Sequence, residues 1–417
     1  MNQTLLTREH APHETKSSIF RNKNFVIAWL SSLFTGLAFS MYLLGETWYV
    51  VNELKLETML GFVLMMTAIP RVVLTMVGGV LADRLDKRKV MFYADLSRVG
   101  VLIVMVWLLL TGVLPITVLL LFAFIFGTLD GLYQPASSSL VVQLVERSQL
   151  TKANAFMQTS MQICMLVGPL LAATLLFVGS YTMLFSVVAA CLFVGACMIL
   201  LVKRRDSSEK REKKSFKAEW LEGYRYVRAD TFILSCMALI CLINLLIAGP
   251  AMTSIPLIVE QKLAGSALEL SYFEAAMAVG MIVGATCIGL SKQKKRRATW
   301  VLLLLLLLCL TQILWAGIST FLYGIVILWV TGTILGMTNV LVITIMQERI
   351  DSDKIGRVMS FVGTAAQGLL PVSFGIMGVL LSVGVSVSML LIITGILGVF
   401  LTISMFYVKA YRAGDQV

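Results

Sequence analysis

Twelve times along the chain a stretch of roughly twenty predominantly apolar residues recurs, the length that carries an α-helix across the hydrocarbon of a bilayer. The spans read as 25-51, 60-82, 91-112, 116-139, 155-178, 181-202, 233-259, 268-290, 299-316, 319-344, 358-381 and 386-408. Lipid offers no water to unpaired amides and carbonyls, so such runs must satisfy their backbone internally as helices. Composition agrees, with 58% hydrophobic and only 14% charged residues in 417. The expected class is an all-α membrane protein of twelve transmembrane helices.

The loops give an independent test of topology. If the N-terminal tail is cytoplasmic, Lys and Arg should gather in both tails and in the connections that follow even-numbered spans. Of the 34 basic residues, 30 do; Lys55 and Lys262 fall in the opposite loops, and Arg71 and Arg98 lie inside spans. The sequence therefore predicts a multi-pass protein of the cell membrane with both termini cytoplasmic. Its net charge of +11 is then a topological bias, and no nucleic-acid partner is expected. The first apolar run lacks a small-residue cleavage site and reads as a retained helix. All seven cysteines sit inside spans without metal-like spacing, so no metal site is expected. With no phosphate-cradling loop, nucleophile elbow or Walker lysine, neither an enzyme nor a cofactor is indicated.

The chain is internally duplicated. VERSQLTKANAFM at 145-157 lies over QERIDSDKIGRVM at 347-359, and the same offset carries Pro169 onto Pro371. GTLDG at 127-131 likewise resembles GTILG at 332-336. The organisation that follows is a tail at 1-24, a six-helix bundle at 25-202, a linker at 203-232, a second bundle at 233-408 and a tail at 409-417. Two parallel halves of this kind are related by an axis along the membrane normal. Within the linker, a charged tether gives way to Phe216, Trp220, Tyr224 and Val227 at helical spacing, which marks an amphipathic helix at the headgroup layer.

Where the second span meets its loop the sequence reads GVLADRLDKR over 79-88. This resembles the G-x-L-A-D-R-x-G-R-K signature of the major facilitator superfamily, carried here by Gly79, Asp83, Arg84, Lys87 and Arg88. Asp86 replaces the second signature glycine; Asp tolerates left-handed turns, so the turn is expected to survive. Charge alone would hold the basic residues at anionic membrane lipids, at about 1 kcal/mol each. The resemblance implies more: two pseudo-symmetric six-helix bundles that rock about a central site, with Asp83 meeting the start of the eleventh helix and the basic residues completing a cytoplasmic latch. Asp95 and Arg98, close beyond the loop, are expected to extend that latch or to form a local salt bridge. Gly168-Pro169 stands where drug:proton antiporters carry a longer Gly-Pro-Gly-Gly motif, and LTKAN at 150-154 together with WLEGYRYVR at 220-228 resembles macrolide-efflux exporters. The arginine that many antiporters carry in helix 4 is missing; Asp130 is there instead.

An ionisable side chain at membrane depth costs at least about 2.5 kcal/mol, so each one is a candidate for function. Both histidines, His10 and His13, lie in the N-terminal tail, which leaves carboxylates as proton carriers. The candidates are Asp130, Glu46 and Glu274, with Arg71 as the cation able to pair with either of the first two. A static pair with Arg71, or snorkelling of Glu46, is the structural alternative. Asn244, Tyr42, Trp48, Gln134 and Asn339 are cavity candidates. Gly168, Pro169, Pro250 and Pro371 are candidate kinks. The function these features predict is secondary transport by a monomer, exporting an amphiphilic, drug-like compound in exchange for protons. Uptake or lipid flipping on the same fold, and a receptor or scaffold that has lost transport, are the alternatives; retained buried carboxylates favour a transporter.

Overall fold

The structure, a computed structural model, describes residues 19–146, 149–203, 216–291, 296–351, 354–408 and 411; for 76–84 and 216–220 it describes the backbone alone. His10, His13 and the tether 204–215 lie outside the described residues, as do the side chains of Asp83, Arg84, Phe216 and Trp220 and the surroundings of Gly79.

The first half comprises α1 (Lys23–Trp48), α2 (Leu60–Arg84), α3 (Lys87–Leu110), α4 (Ile116–Leu144), α5 (Leu150–Val178) and α6 (Tyr181–Leu200). A linker helix, α7 (Phe216–Ala229), leads to the second half. There the seventh span is α8 (Thr231–Ile243) and α9 (Gly249–Gln261), joined by one π-turn, followed by α10 (Ala267–Leu290), α11 (Arg297–Trp315), α12 (Phe321–Arg349), α13 (Ile355–Ser382) and α14 (Val387–Phe406). Twelve helical segments among the described residues are long and apolar enough to cross a membrane. Several outrun the apolar window: α3 begins four residues before 91, and α4 and α12 each end five residues after 139 and 344. Hydropathy measures the thickness of the hydrocarbon, whereas a helix ends where its backbone finds caps. Asn22, Asp86, Ser180, Asp230, Ser266, Thr320 and Ser386 supply such caps, each side chain accepting from a first-turn amide.

The duplication has a packing cause. In the first half the closest pairing sets α2 on α4, and in the second α10 on α12. Gly127 and Gly131 of α4 lie on the backbone of Thr67 and Arg71, and Gly332 and Gly336 of α12 on the backbone of Met277 and Met281. A Cβ at any of the four would overlap the facing helix. The paired GTLDG and GTILG segments are thus small-residue faces that let two backbones touch, which is how helices associate where lipid is as apolar as the side chains. α3 packs on α4 and α6, and its counterpart α11 on α12 and α14. The two pseudo-symmetric bundles meet through α2 against α13 and α5 against α10.

The amphipathic linker helix forms and docks on the second half. Glu222 pairs with Arg357 of α13 at 2.5 Å, Tyr224 sits edge-on to Phe361, and Tyr226 Oη accepts from the Asp351 amide at 3.2 Å. Val227 is buried there.

Candidate functional site

The loop carrying the signature turns without left-handed geometry. Asp86 has φ −67° and ψ 112°, and caps α3 by accepting from the Arg88 amide at 3.1 Å. The Arg88 guanidinium pairs with the same carboxylate at 2.9 Å and holds it below the usual acid range. The turn is kept with Asp in the place of Gly, but in extended rather than left-handed geometry, since an N-cap position suits Asp at least as well as Gly. Arg88 also donates to the Val202 carbonyl at 2.6 Å, beside the end of α6. Lys87 is the first residue of α3.

Asp95 and Arg98 take a different place from the loop. Because α3 starts at Lys87, they lie eight and eleven residues along it, roughly 12 and 16 Å from its start at 1.5 Å per residue. There they join Asp130 and Arg71. Arg98, with no exposed surface, donates through Nη1 to Asp95 at 3.1 Å and through Nη2 to Asp130 at 3.0 Å. Arg71 Nε reaches the second oxygen of Asp130 at 2.9 Å, and Thr35 donates to Asp95 at 2.7 Å. Two carboxylates and two guanidiniums form one chain. Arg98 lies beside the rings of Phe126 and Tyr133, and Arg71 beside that of Phe39. The members differ in exposure: Asp95, Arg98 and Asp130 are buried, whereas the Arg71 side chain is 32% exposed.

One side of this chain forms the wall of a cavity of about 280 Å³ between α1, α4 and α5. Asp130, Tyr133 and Gln134 come from α4, Trp29 and Phe39 from α1, and Asn154 and Gln158 from the first turns of α5. Gln134 is a cavity candidate on sequence grounds. Trp29 and Tyr133 are not, since an aromatic residue on a uniformly apolar helix gives no signal of which way it faces. Trp29 is fixed by donating to Ser160 Oγ of α5 at 2.8 Å.

Glu46 and Tyr42 lie elsewhere, inside the first bundle. Both are fully buried, Tyr42 stacks on Phe126 with centroids 3.8 Å apart, and its hydroxyl donates to Glu46 at 2.7 Å. The other Glu46 oxygen has no hydrogen-bond partner, so Glu46 does not snorkel. Trp48 is buried in the same core. Glu274 is half-buried on α10 and Asn339 half-buried on α12. In the seventh span Asn244 opens a π-turn, Asn244–Ala248, and donates to Ile240 of its own helix at 3.0 Å. Pro250 is the second residue of α9, and the backbone stays helical from α8 through the π-turn into α9. Gly168, Pro169 and Pro371 are buried within α5 and α13.

Away from the basic loops the halves are joined. Lys55 pairs with Glu260 at 2.9 Å, and Gln261 donates to Glu57. Just below, Gly61 of α2 meets the backbone of Phe374 and Gly378 in α13, and Met65 meets Gly375. Nearer the other end of α13, Gly363 and Gly368 face open space. The helices converge at the Lys55 end, and the cavity lies toward the basic one.

Comparison with known proteins places these observations in a family. The model of the Major Facilitator Superfamily matches residues 28–373. Macrolide efflux protein A of Enterococcus faecalis is 24% identical over 306 residues, 70% of this chain and 92% of the relative. Macrolide efflux protein A of Streptococcus pyogenes is 24% identical over 358 residues, 83% of this chain and 84% of the relative. Among solved structures, the nucleoside transporter NupG superposes with a TM-score of 0.72 over 93% of this chain and all of its own, at 13% identity. That is a likeness of fold alone.

Proposed function

We propose that this chain, which belongs to the Major Facilitator Superfamily, exports amphiphilic, drug-like compounds across the cell membrane in exchange for protons. It is a transporter and not an enzyme. Export is supported by relatives named for macrolide efflux that align over most of their length, and antibiotic resistance is the phenotype to expect. The basic end is taken as cytoplasmic, because 30 of 34 Lys and Arg belong to it; the cavity then opens to the cytoplasm, where an exporter loads. The exposed arginines of α7, Arg225 and Arg228, suit anionic headgroups.

The observation that carries the reading is Asp130: a buried carboxylate in the cavity wall, shared between a buried arginine and a part-exposed one. Protonation of Asp130 removes the partner of Arg71, while Arg98 keeps Asp95. Arg71, already part-exposed, is then free to leave. A proton and a cargo that need opposite arrangements of the same group cannot be held together, which is the requirement of antiport. Glu46, fully buried with Tyr42 as its hydrogen-bond partner, is the second place where a proton can reside, since a neutral acid is far cheaper to bury than an unpaired carboxylate.

The test is accumulation of a fluorescent amphiphile in inverted membrane vesicles, with and without a pH gradient. Gradient-dependent accumulation by the native protein should fall about tenfold or more in Asp130→Asn, corresponding to about 1.4 kcal/mol. Glu46→Gln should lower it independently. Accumulation by the native protein that ignores the gradient would show that protons are not the coupling ion.

A further inference from the structure

The seventh span contains a backbone defect that the proposed function does not use. In an α-helix each carbonyl accepts from the amide four residues on. Within the π-turn the Gly249 amide bonds instead to Asn244, five residues back, and Pro250 has no amide to give. The Leu245 carbonyl therefore has neither its α nor its π partner, and the Leu246 carbonyl lacks its α partner.

Side chains from two other helices fill these places. Ser373 of α13 donates to the Leu245 carbonyl at 2.6 Å. Gln312 of α11 donates through Nε2 to the Leu246 carbonyl at 2.8 Å and to Thr394 Oγ1 of α14 at 2.6 Å. The orientation of the amide follows from its neighbours. Thr394 spends its own proton on the Leu390 carbonyl at 2.8 Å, so its oxygen accepts, and a backbone carbonyl can only accept. Both Nε2 protons are committed, and Oε1 is left buried without a partner. An unpaired buried acceptor is costly, which argues that this glutamine does more than fill space. Gly249 completes the arrangement, since a Cβ there would overlap Ser373 Oγ.

Beyond the π-turn, α9 ends in Glu260 and Gln261, which hold Lys55 and Glu57 of the first half. The π-turn adds one residue to a helical turn between α8 and α9, and so sets the rotation of α9 and where those two residues stand.

We propose that Gln312, with Ser373, is a positioning residue: by satisfying the carbonyls that the π-turn leaves bare it holds the seventh span in its π-turn form, and so fixes how α9 meets the first half at the end away from the basic loops. The inference rests on the alternating-access reading, in which this contact must open and close. Gln312 makes no contact with cargo in this role; it acts by satisfying a carbonyl that Pro250 leaves bare.

The closing experiment uses the full chain in membranes. Lys55→Cys and Glu260→Cys are introduced together and bridged with a short bis-maleimide, the product being read as the joined proteolytic peptides. Adding Gln312→Leu should lower the bridged fraction about fivefold, the weight of one hydrogen bond, and slow export while leaving the KM for the fluorescent amphiphile unchanged. In a Pro250→Ala background, which returns an amide to Leu246, the same substitution should change neither. Ser373→Ala should act in the same direction as Gln312→Leu. If Gln312→Leu alone does not accumulate, recovery by Pro250→Ala supports the inference, and failure of both with Ser373→Ala unchanged overturns it. An unaltered bridged fraction in Gln312→Leu, or an equal fall in the Pro250→Ala background, also overturns it. Bridging requires no cargo, so a protein that exports nothing but shows the coupled loss keeps the hinge and loses the transport reading.

Discussion

Arg98 has no exposed surface and is held by two carboxylates, while Arg71 shares one of them from a position that is 32% exposed. The difference separates what their removal should do. Arg98→Met leaves Asp95 and Asp130 buried with one cation between them, and breaking a buried pair in this way costs about 3–5 kcal/mol. Its expected result is a large loss of thermal stability in detergent, followed by fluorescence-detected gel filtration. Arg71→Gln should fold nearly as well as the native protein and shift the pH dependence of export; equal destabilisation by both variants would mean that the chain of four is a structural unit with no mobile end. All four residues were legible in the sequence as ionisable groups inside apolar spans. Which of them touch was not, because pairing between α3 and α4 depends on the rotation of each helix about its own axis, and uniformly apolar helices carry little record of that rotation. The Tyr42 and Glu46 contact is the exception that could have been read, since residues four apart share a helix face.

At the scale of the helix, end signals were more informative than hydropathy. The apolar window put the start of the third span at 91, but Asp86 caps α3 at Lys87 and so carries Asp95 and Arg98 into the bundle. Asp86→Ala should cost about 1 kcal/mol, and Asp86→Gly, the residue of the signature, only a few tenths. The carboxylate is held below its ordinary range by Arg88. Its contribution is therefore complete above the unfolded acid's pKa and disappears as pH falls through the lower folded one. The gap between native and Asp86→Ala midpoints in thermal unfolding should hence narrow on acidification and stay constant near neutrality. Glycine faces make a second prediction. Gly127→Leu drives a side chain into the backbone of Thr67 and should abolish accumulation in the membrane, whereas Gly100→Leu, with nothing within 4 Å of its Cβ position, should accumulate normally. The repeated GTLDG and GTILG were visible as letters; that they are contact faces needed the helices set side by side.

The two halves as a whole touch where their duplication brings equivalent loops together. Lys55 and Glu260 are 205 residues apart, and Glu57 and Gln261 are 204 apart, close to the offset that aligns the repeats. Around a two-fold axis, residues near the axis meet their own counterparts, so a clasp made of pseudo-equivalent loops marks the place where the axis leaves the protein. The offset was readable in the sequence, but duplication alone does not say which faces of the halves adjoin. Its place at the end of the bundle opposite the basic loops gives the contact leverage: a small rocking of either half about a point between the two ends would separate these loops while bringing the basic ends together. The pair itself is weak, since the Lys55 side chain is 60% exposed and such bridges contribute about 0.2–1 kcal/mol. Under the proposed alternating access this contact breaks in every cycle, and a pair in this range biases the equilibrium without locking it. Lys55→Glu, which sets two carboxylates face to face, should therefore shift the population toward the form open at this end by a factor of about 1.5–5. Lys55→Glu combined with Glu260→Lys should restore it. Electron-electron distance measurements between spin labels on the loops after α1 and after α9 read the two populations directly. Distances unchanged in Lys55→Glu, or not restored by the exchanged pair, would mean that the apolar meeting of Gly61 with Gly378 sets the balance instead.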